Sequence, residues 1–353
     1  MAKTMMALRK VRPEPGAELV EIPIPTPKPD EALVRVAATS ICGTDLHIYY
    51  WDPWAQERIH VPQTFGHEIA GHVEAMGSEV HNVSIGDYVA AETHFFCGYC
   101  PPCRTGKPHI CETLKILGVD TEGSFAEYVA IPARCLWPVG QEVPPEVAAI
   151  HEPFGNAVHT TMGPDLPTAN VAILGCGPIG LIAIAIAKVC GAARVIAVEP
   201  NALRADLARK MGADVVVDPN THDIVEVVRA ETGGHGADVV LEMSGVPKVI
   251  SQGMEMAALG GRVSLLGLPS EPVTLDLVND VIFKEVTIHG VTGRELFKTW
   301  FQTYRLLSAK MVDVSPIITH RLPLDRFDEA FELIRSGQSG KVVMYPNPAD
   351  MPS

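Results

Sequence analysis

Four cysteines in the stretch CGYCPPCRTGKPHIC, Cys97, Cys100, Cys103 and Cys111, stand in the pattern Cys-x2-Cys-x2-Cys-x7-Cys. Spacers of two residues let successive sulfurs turn toward a common centre, so the four thiolates can enclose one tetrahedral zinc. With sulfur in every position there is no vacancy for water or substrate. Such a site stabilises a loop that has little core of its own and does no chemistry. An iron–sulfur run has similar spacing but usually carries proline after its last cysteine, and here Glu112 follows. A redox Cys-x-x-Cys would use only two of the thiols. Cys135, Cys176 and Cys190 lie in apolar stretches and read as core residues.

Cys42 stands apart from that run, in ICGTDLHIYYWDPWAQ, with Thr44, His47, Trp51 and Trp54 close by. FGHEIAG offers it His67 and Glu68, on a loop entering a strand, and IHEPFGNAVH offers His151, Glu152 and His159. A catalytic zinc takes three protein ligands and keeps one position open for water or a substrate oxygen. Cys42, His67 and one carboxylate would fit that need. Taken singly, His67 reads as a satisfied core histidine and Glu68 as a surface or ion-paired residue. Thr44 by itself is a turn hydroxyl, His47 a helix-surface residue, and the two tryptophans are core. A nucleotide motif further along tips the balance toward a metal.

That motif is VAILGCGPIG, in which Gly175, Gly177 and Gly180 form G-x-G-x-x-G directly after an apolar strand and at the opening of a helix. The first glycine permits the tight turn, and the second lets the backbone approach a pyrophosphate. The third, beside Ile179, lets helix and strand pack closely. The next apolar run, RVIAVEP, ends in Glu199, whose carboxylate would accept from the adenosine ribose hydroxyls and repel a 2′-phosphate. That favours NAD over NADP. Arg204 could hold a phosphate or pack along the ribose or adenine.

The elements that must position these residues fall into two kinds. As far as about residue 150 the chain reads as short strands broken by Gly and Pro, among them EALVRVAAT, EIAGHVEAMG, GDYVAAET and GSFAEYVAIP, which predicts an antiparallel or barrel-like domain. From about Asn170 apolar runs alternate with helical stretches, which predicts a parallel sheet covered on both faces. Beyond about Glu295 the pattern predicts two amphipathic helices and a last strand in GKVVMYP. The 353 residues carry 28 Lys and Arg against 42 Asp and Glu, a net charge of −14 with no basic run, so nucleic acid is not an expected partner. No apolar stretch is long enough to span a membrane, and MAKTMMALRK is too polar for a secretory signal. The expected location is therefore the cytoplasm, where cysteines serve as ligands or core residues more often than as disulfides.

GHEIAGHVEAMGSEV, GDYV, the four-cysteine lobe, EPFGNAVH and LGCGPIG occur in an order that resembles the zinc-containing medium-chain alcohol dehydrogenases over essentially the whole chain. The resemblance implies an α/β protein. Residues 1–154 would form a GroES-like, mainly-β catalytic domain with a structural zinc lobe, and 155–295 an NAD-binding Rossmann domain with a doubly wound parallel sheet. Residues 296–353 would return to the catalytic domain, and the assembly would be a homotetramer.

It also implies two zincs per subunit, one structural and one catalytic. The catalytic zinc would sit on Cys42, His67 and Glu68, with Glu152 as an alternating ligand or a proton-relay acid. Members of the general type use a second cysteine, where this chain has Glu152 near the matching region, so the choice between Glu68 and Glu152 stays open.

Thr44 and His47 would carry the alcohol's proton to solvent, through the nicotinamide ribose, before hydride leaves the adjacent carbon. Leu266, Gly267, Leu268, Val291 and Thr292 follow later strands and are expected on the nicotinamide side. TSICGTDLHIYYWDPWAQERI, GVDTEGSFAEY, SLLGL and GVTGR narrow the resemblance to members that oxidise L-threonine at C3 to 2-amino-3-oxobutanoate. A polyol or 2,3-butanediol dehydrogenase with the same zinc and NAD is the neighbouring expectation. A non-catalytic NAD-binding zinc protein is the one from another class.

Overall fold

The computed structural model describes residues 3–352. Its chain divides into two compact units: 1–152 with 296–304 and 318–353, and 153–295 with 305–317. The boundary thus falls inside the helix His151–Thr161. Within the final segment, 305–317 groups with the second unit although its flanks group with the first.

The first unit is built on a seven-stranded sheet ordered Leu136–Pro138, Tyr88–Ala91, Glu68–Met76, Glu31–Ser40, Lys341–Tyr345, Ile318–Pro323, with Tyr128–Pro132 also pairing on Glu31–Ser40. Its strands alternate β-branched and small residues. Val34, Val36, Ile69, Val73, Val89 and Ile131 turn inward and close one core cluster. A second cluster joins Ile41, Ile48, Phe65 and Phe125 to Phe327, Phe331 and Met344 from the end of the chain.

The register of this sheet positions the chemistry. Ser40 is opposite Glu68 on one side and Val343 on the other. The chain then leaves the sheet through Cys42, which opens the helix Gly43–Tyr50. The ends of three strands far apart in sequence therefore meet at Cys42. The four-cysteine stretch hangs from a two-stranded ribbon in which His94 pairs Ile116 and Phe95 pairs Lys115.

The second unit holds a six-stranded, all-parallel sheet ordered Val215–Val217, Arg194–Val198, Asn170–Leu174, Ala237–Glu242, Ala257–Leu265, Thr287–Gly290. Numbered along the chain, that order is 3-2-1-4-5-6, the doubly wound dinucleotide-binding arrangement. The central strands read as unbroken apolar runs because helices cover both faces; Val171, Ala172, Ile173, Val195, Val239 and Val240 are shut off from solvent. No helix among the described residues is long and apolar enough to cross a membrane.

Candidate active site

The sulfur of Cys42, a ring nitrogen of His67 and a carboxylate oxygen of Glu68 all lie within 4.8 Å of one another. A soft sulfur, an imidazole and a carboxylate at that separation form a donor set suited to zinc. Cys42 is half-buried, whereas His67 and Glu68 are buried. Behind His67 stands Asp45, fully buried on the first turn of the Gly43–Tyr50 helix, with Oδ1 3.6 Å from His67 Nδ1. The other oxygen of Asp45 accepts from the Cys42 backbone N–H at 2.9 Å. One carboxylate thus faces the histidine ring and holds the turn that presents the cysteine, the position that outer carboxylates take around metal-binding imidazoles. Burial works against a charged His67, but Asp45 and Cys42 outweigh it and hold its pKa well above the usual value.

Glu68 has further partners. Ser40 donates its hydroxyl to Oε2, and Lys341 Nζ donates to Oε1 at 2.6 Å and to the carbonyl of Ile41 at 2.9 Å. Burial opposes the ammonium of Lys341, but Glu68 and Cys42 keep it charged, with its pKa above the ordinary lysine value. Glu152, on the first turn of the His151–Thr161 helix, is buried and is not one of the three clustered donors. Its charge acts on both Glu68 and Lys341.

The histidines near Glu152 are employed elsewhere. His151 stacks on Trp300 with its Nδ1 3.0 Å from the Ala148 carbonyl, and burial pushes its pKa down to about 4. His159 Nδ1 lies 3.1 Å from the Gly293 carbonyl.

Thr44 Oγ1 is 3.9 Å from Cys42 Sγ. His47 sits one turn further along the helix with its side chain 55% exposed, and Asp52 hydrogen-bonds its Nδ1. Asp52 also caps the next helix, Pro53–Arg58, by accepting from the Ala55 N–H at 3.0 Å. Trp54 meets His47 edge-on at 5.9 Å, whereas Trp51 packs against the core cluster. Asp45, Asp52, Ser40 and Lys341 went unnoticed in the sequence. The motif S/T/D-x-x that caps helices could have exposed Asp52, but nothing local marks Lys341.

The four sulfurs of Cys97, Cys100, Cys103 and Cys111 also lie within 4.8 Å of one another, with 4.0 Å between Cys97 and Cys103 and 3.8 Å between Cys100 and Cys111. A tetrahedron with bonds of about 2.3 Å has edges of roughly 3.8 Å, so the lobe is preformed for zinc. Burial disfavours the Cys97 thiolate, but the backbone N–H groups of Tyr99 and Cys100 prevail and bring its pKa down to about 6. Cys135 and Cys176 are fully buried, while Cys190 is only half-buried.

In the second unit the three glycines have distinct surroundings. Gly175 has φ +94°, a conformation that L side chains rarely adopt. A Cβ on Gly180 would fall 2.1 Å from the Gly175 carbonyl, so the helix Pro178–Val189 rests directly on the turn. A Cβ on Gly177 would meet nothing within 4 Å, which leaves open space above the helix N-terminus for an anion. Ile179 is half-buried on the first turn of that helix. Glu199 is buried; its oxygens accept from the Cys176 N–H at 2.7 Å and the Asn201 N–H at 2.9 Å, which ties the second strand to the glycine turn. The Arg204 backbone N–H donates to Asn201 Oδ1 at 3.1 Å. Leu266 and Gly267 both donate backbone N–H to the Glu242 carbonyl, at 3.0 and 3.2 Å, and Leu268 is 90% exposed. Val291 is buried and Thr292 exposed.

Residues 28–141 match the model of the alcohol dehydrogenase GroES-like domain, and residues 178–309 match that of the zinc-binding dehydrogenases. The chain is 53% identical to the L-threonine 3-dehydrogenase of Bacillus velezensis over 98% of its own length and 100% of that protein. With the L-threonine 3-dehydrogenase of Pyrococcus horikoshii it shares 50% identity over 97% and 99%. Among solved structures, the 2R,3R-butanediol dehydrogenase of Bacillus subtilis superposes with TM-score 0.86 at 28% identity, covering 97% of this chain and 100% of that one. A protein from Escherichia coli CFT073, described as a short chain alcohol dehydrogenase complexed with NADH, superposes with TM-score 0.88 at 28% identity, covering 98% and 100%. The two matched domains, in this order and over a chain that aligns end to end with such relatives, place this protein in the zinc-containing alcohol dehydrogenase family, as a dehydrogenase.

Proposed function

We propose that this enzyme oxidises the C3 hydroxyl of L-threonine to 2-amino-3-oxobutanoate, with NAD as hydride acceptor. The observation that carries the reading is the convergence of Cys42, His67 and Glu68 donor atoms within 4.8 Å, in a chain about half identical to L-threonine 3-dehydrogenases. Cys42, His67 and one carboxylate, Glu68 or Glu152, would hold the catalytic zinc, and the four-cysteine lobe a structural one. Bound there, zinc would act as a Lewis acid that lowers the pKa of the substrate hydroxyl.

The chain's own residues handle the proton. Thr44 Oγ1 accepts it and passes it toward His47. Because Asp52 engages Nδ1 of His47, Nε2 is the atom left to take the proton, and the exposed ring releases it to solvent. The segments Leu266–Leu268 and Val291–Thr292 would receive the nicotinamide, which would supply the acceptor for the C3 hydride. Gly175, Gly177, Ile179 and Gly180 would cradle the pyrophosphate, and Glu199 and Arg204 would face the adenosine ribose. Glu199 is the ground for choosing NAD over NADP.

The same fold carries a second reading, since a butanediol dehydrogenase superposes over nearly the whole chain. NADH absorbance with L-threonine, D-threonine, sorbitol and 2,3-butanediol, before and after chelation, separates the two. Turnover on L-threonine alone, lost with the chelator, supports the first reading; turnover on a diol but not threonine supports the second. A cytoplasmic homotetramer completes the proposal. For the assembly, the edge strand Thr287–Gly290 is exposed along its length, and Ile282, Phe283 and Ile288 are exposed beside it.

A further inference from the structure

Glu242 ends the strand Ala237–Glu242, at the point where the order of the parallel sheet reverses between that strand and Asn170–Leu174. Its side chain is fully buried, and its hydrogen bonds are one-sided. Oε1 accepts from the Ser244 N–H at 2.8 Å, the Ser244 hydroxyl at 2.5 Å and the Gly245 N–H at 3.0 Å, whereas Oε2 makes no hydrogen bond. No lysine or arginine among the described residues pairs with it. Oε2 lies under the backbone of Gly267: a Cβ there would fall 2.6 Å from it. The space that a side chain at 267 would need is thus taken by this carboxylate and the Gly245 backbone, and the next residue, Leu268, is 90% exposed.

A buried carboxylate without a counter-cation is costly, and three donors on one oxygen offset only part of that cost. Burial pushes its carboxyl above the usual carboxylate range, with Ser244 and Gly245 pulling back. What would repay the rest is a cation arriving over the Leu266–Leu268 segment. A dinucleotide crossing this sheet lays its pyrophosphate at the Gly177 turn and its adenosine toward Glu199, at the end of the neighbouring strand. Its other half would then lie toward the ends of Ala237–Glu242, Ala257–Leu265 and Thr287–Gly290. The nicotinamide ring is cationic in the oxidised cofactor and neutral in the reduced one.

We propose that Glu242 is a specificity-determining residue that makes this site hold the oxidised nicotinamide cofactor in preference to the reduced one. The inference rests on the cofactor reading above and adds to it a charge that favours the cationic ring over the neutral one, and so favours release of the reduced cofactor. Low local dielectric gives the charge its reach.

The test is Glu242→Gln, which keeps an oxygen for the Ser244 and Gly245 donors and removes the charge. NADH binding is read by its fluorescence and NAD by competition against NADH, on the full-length protein at pH 8.5, with the thermal midpoint as a check on folding. The expected result is a loss of about tenfold in NAD affinity with NADH affinity changed less than about twofold, so that the ratio of the two dissociation constants shifts. Equal loss for both cofactors, or no change in either, overturns the proposal. If the wild-type protein binds NADPH and not NADH, the NAD reading fails by itself, and the same ratio taken with NADP and NADPH decides the role of Glu242.

Discussion

Lys341 Nζ lies 2.6 Å from Glu68 Oε1 and 2.5 Å from Oε2, with both side chains closed to solvent. The pair joins the last strand of the chain to the strand that follows His67, and it occupies the carboxylate proposed to serve the catalytic zinc. Removing one member strands a buried charge, which typically costs about 3–5 kcal/mol, while removing both restores much of that. Lys341→Met should therefore lower the urea midpoint strongly, and Lys341→Met with Glu68→Gln should recover most of the loss. Equal destabilisation by the single and double variants would show that the pair is not coupled.

The proposed proton path should be separable from substrate binding. Thr44→Val should reduce kcat by roughly 10²–10³-fold with little change in the KM for NAD, because a hydroxyl in the transfer path acts mainly in the transition state. Asp52→Asn should reduce kcat by about 10-fold, through loss of the charge that fixes the His47 tautomer. Steady-state kinetics in H2O and D2O check this; a solvent isotope effect unchanged in both variants would remove Thr44 and His47 from the relay.

Cys103→Ser takes one sulfur from the tetrahedral lobe without touching Cys42, His67 or Glu68. Zinc per chain should fall from two to one, with a lower thermal midpoint and with catalytic zinc retained. Metal analysis alongside calorimetry decides the matter. Retention of both metals would mean that the lobe does not hold its zinc through all four cysteines.

The two inner glycines of the nucleotide turn should respond in opposite ways. Gly177→Ala meets open space at φ −63°, so the fold should tolerate it while the KM for NAD rises. Gly180→Ala drives a methyl to 2.1 Å from the Gly175 carbonyl and should cost about 1–3 kcal/mol of stability. Urea unfolding and cofactor titration on both variants test the pair together.

Arg321 donates to Glu146 at 2.8 and 2.6 Å and, together with Tyr345, holds the Glu146 carboxyl below its usual pKa of 4.5. A carboxylate whose folded pKa is depressed contributes stability above its unfolded pKa and loses it as the pH falls through the folded value. The wild type should thus be more stable than Glu146→Gln at pH 7, by about 1 kcal/mol, and the gap should shrink progressively as the pH falls below 4.5. Urea midpoints of the two proteins across that range measure it.

Local chemistry made much of this molecule legible in advance. The four-cysteine cluster could be read because spacers of two residues bring sulfurs together whatever the rest of the fold does, and the glycine turn because its conformational demands fall on adjacent residues. Unbroken apolar runs announced the parallel sheet for the same reason: burial on both faces leaves no polar period. What only the tertiary structure decided is who stands behind these residues. Asp45 and Asp52 lie only three and five positions from Cys42 and His47, but their roles depend on where each side chain points. Ser40, Glu68 and Lys341 come together solely through strand register, with Lys341 273 positions beyond Glu68. Glu242 looks like one more acidic residue at the end of an apolar run, and only the packing of Gly267 over its free oxygen distinguishes it. Spacing fixes contacts within a turn or two, whereas the partners of a buried charge are set by which strands the sheet lays side by side.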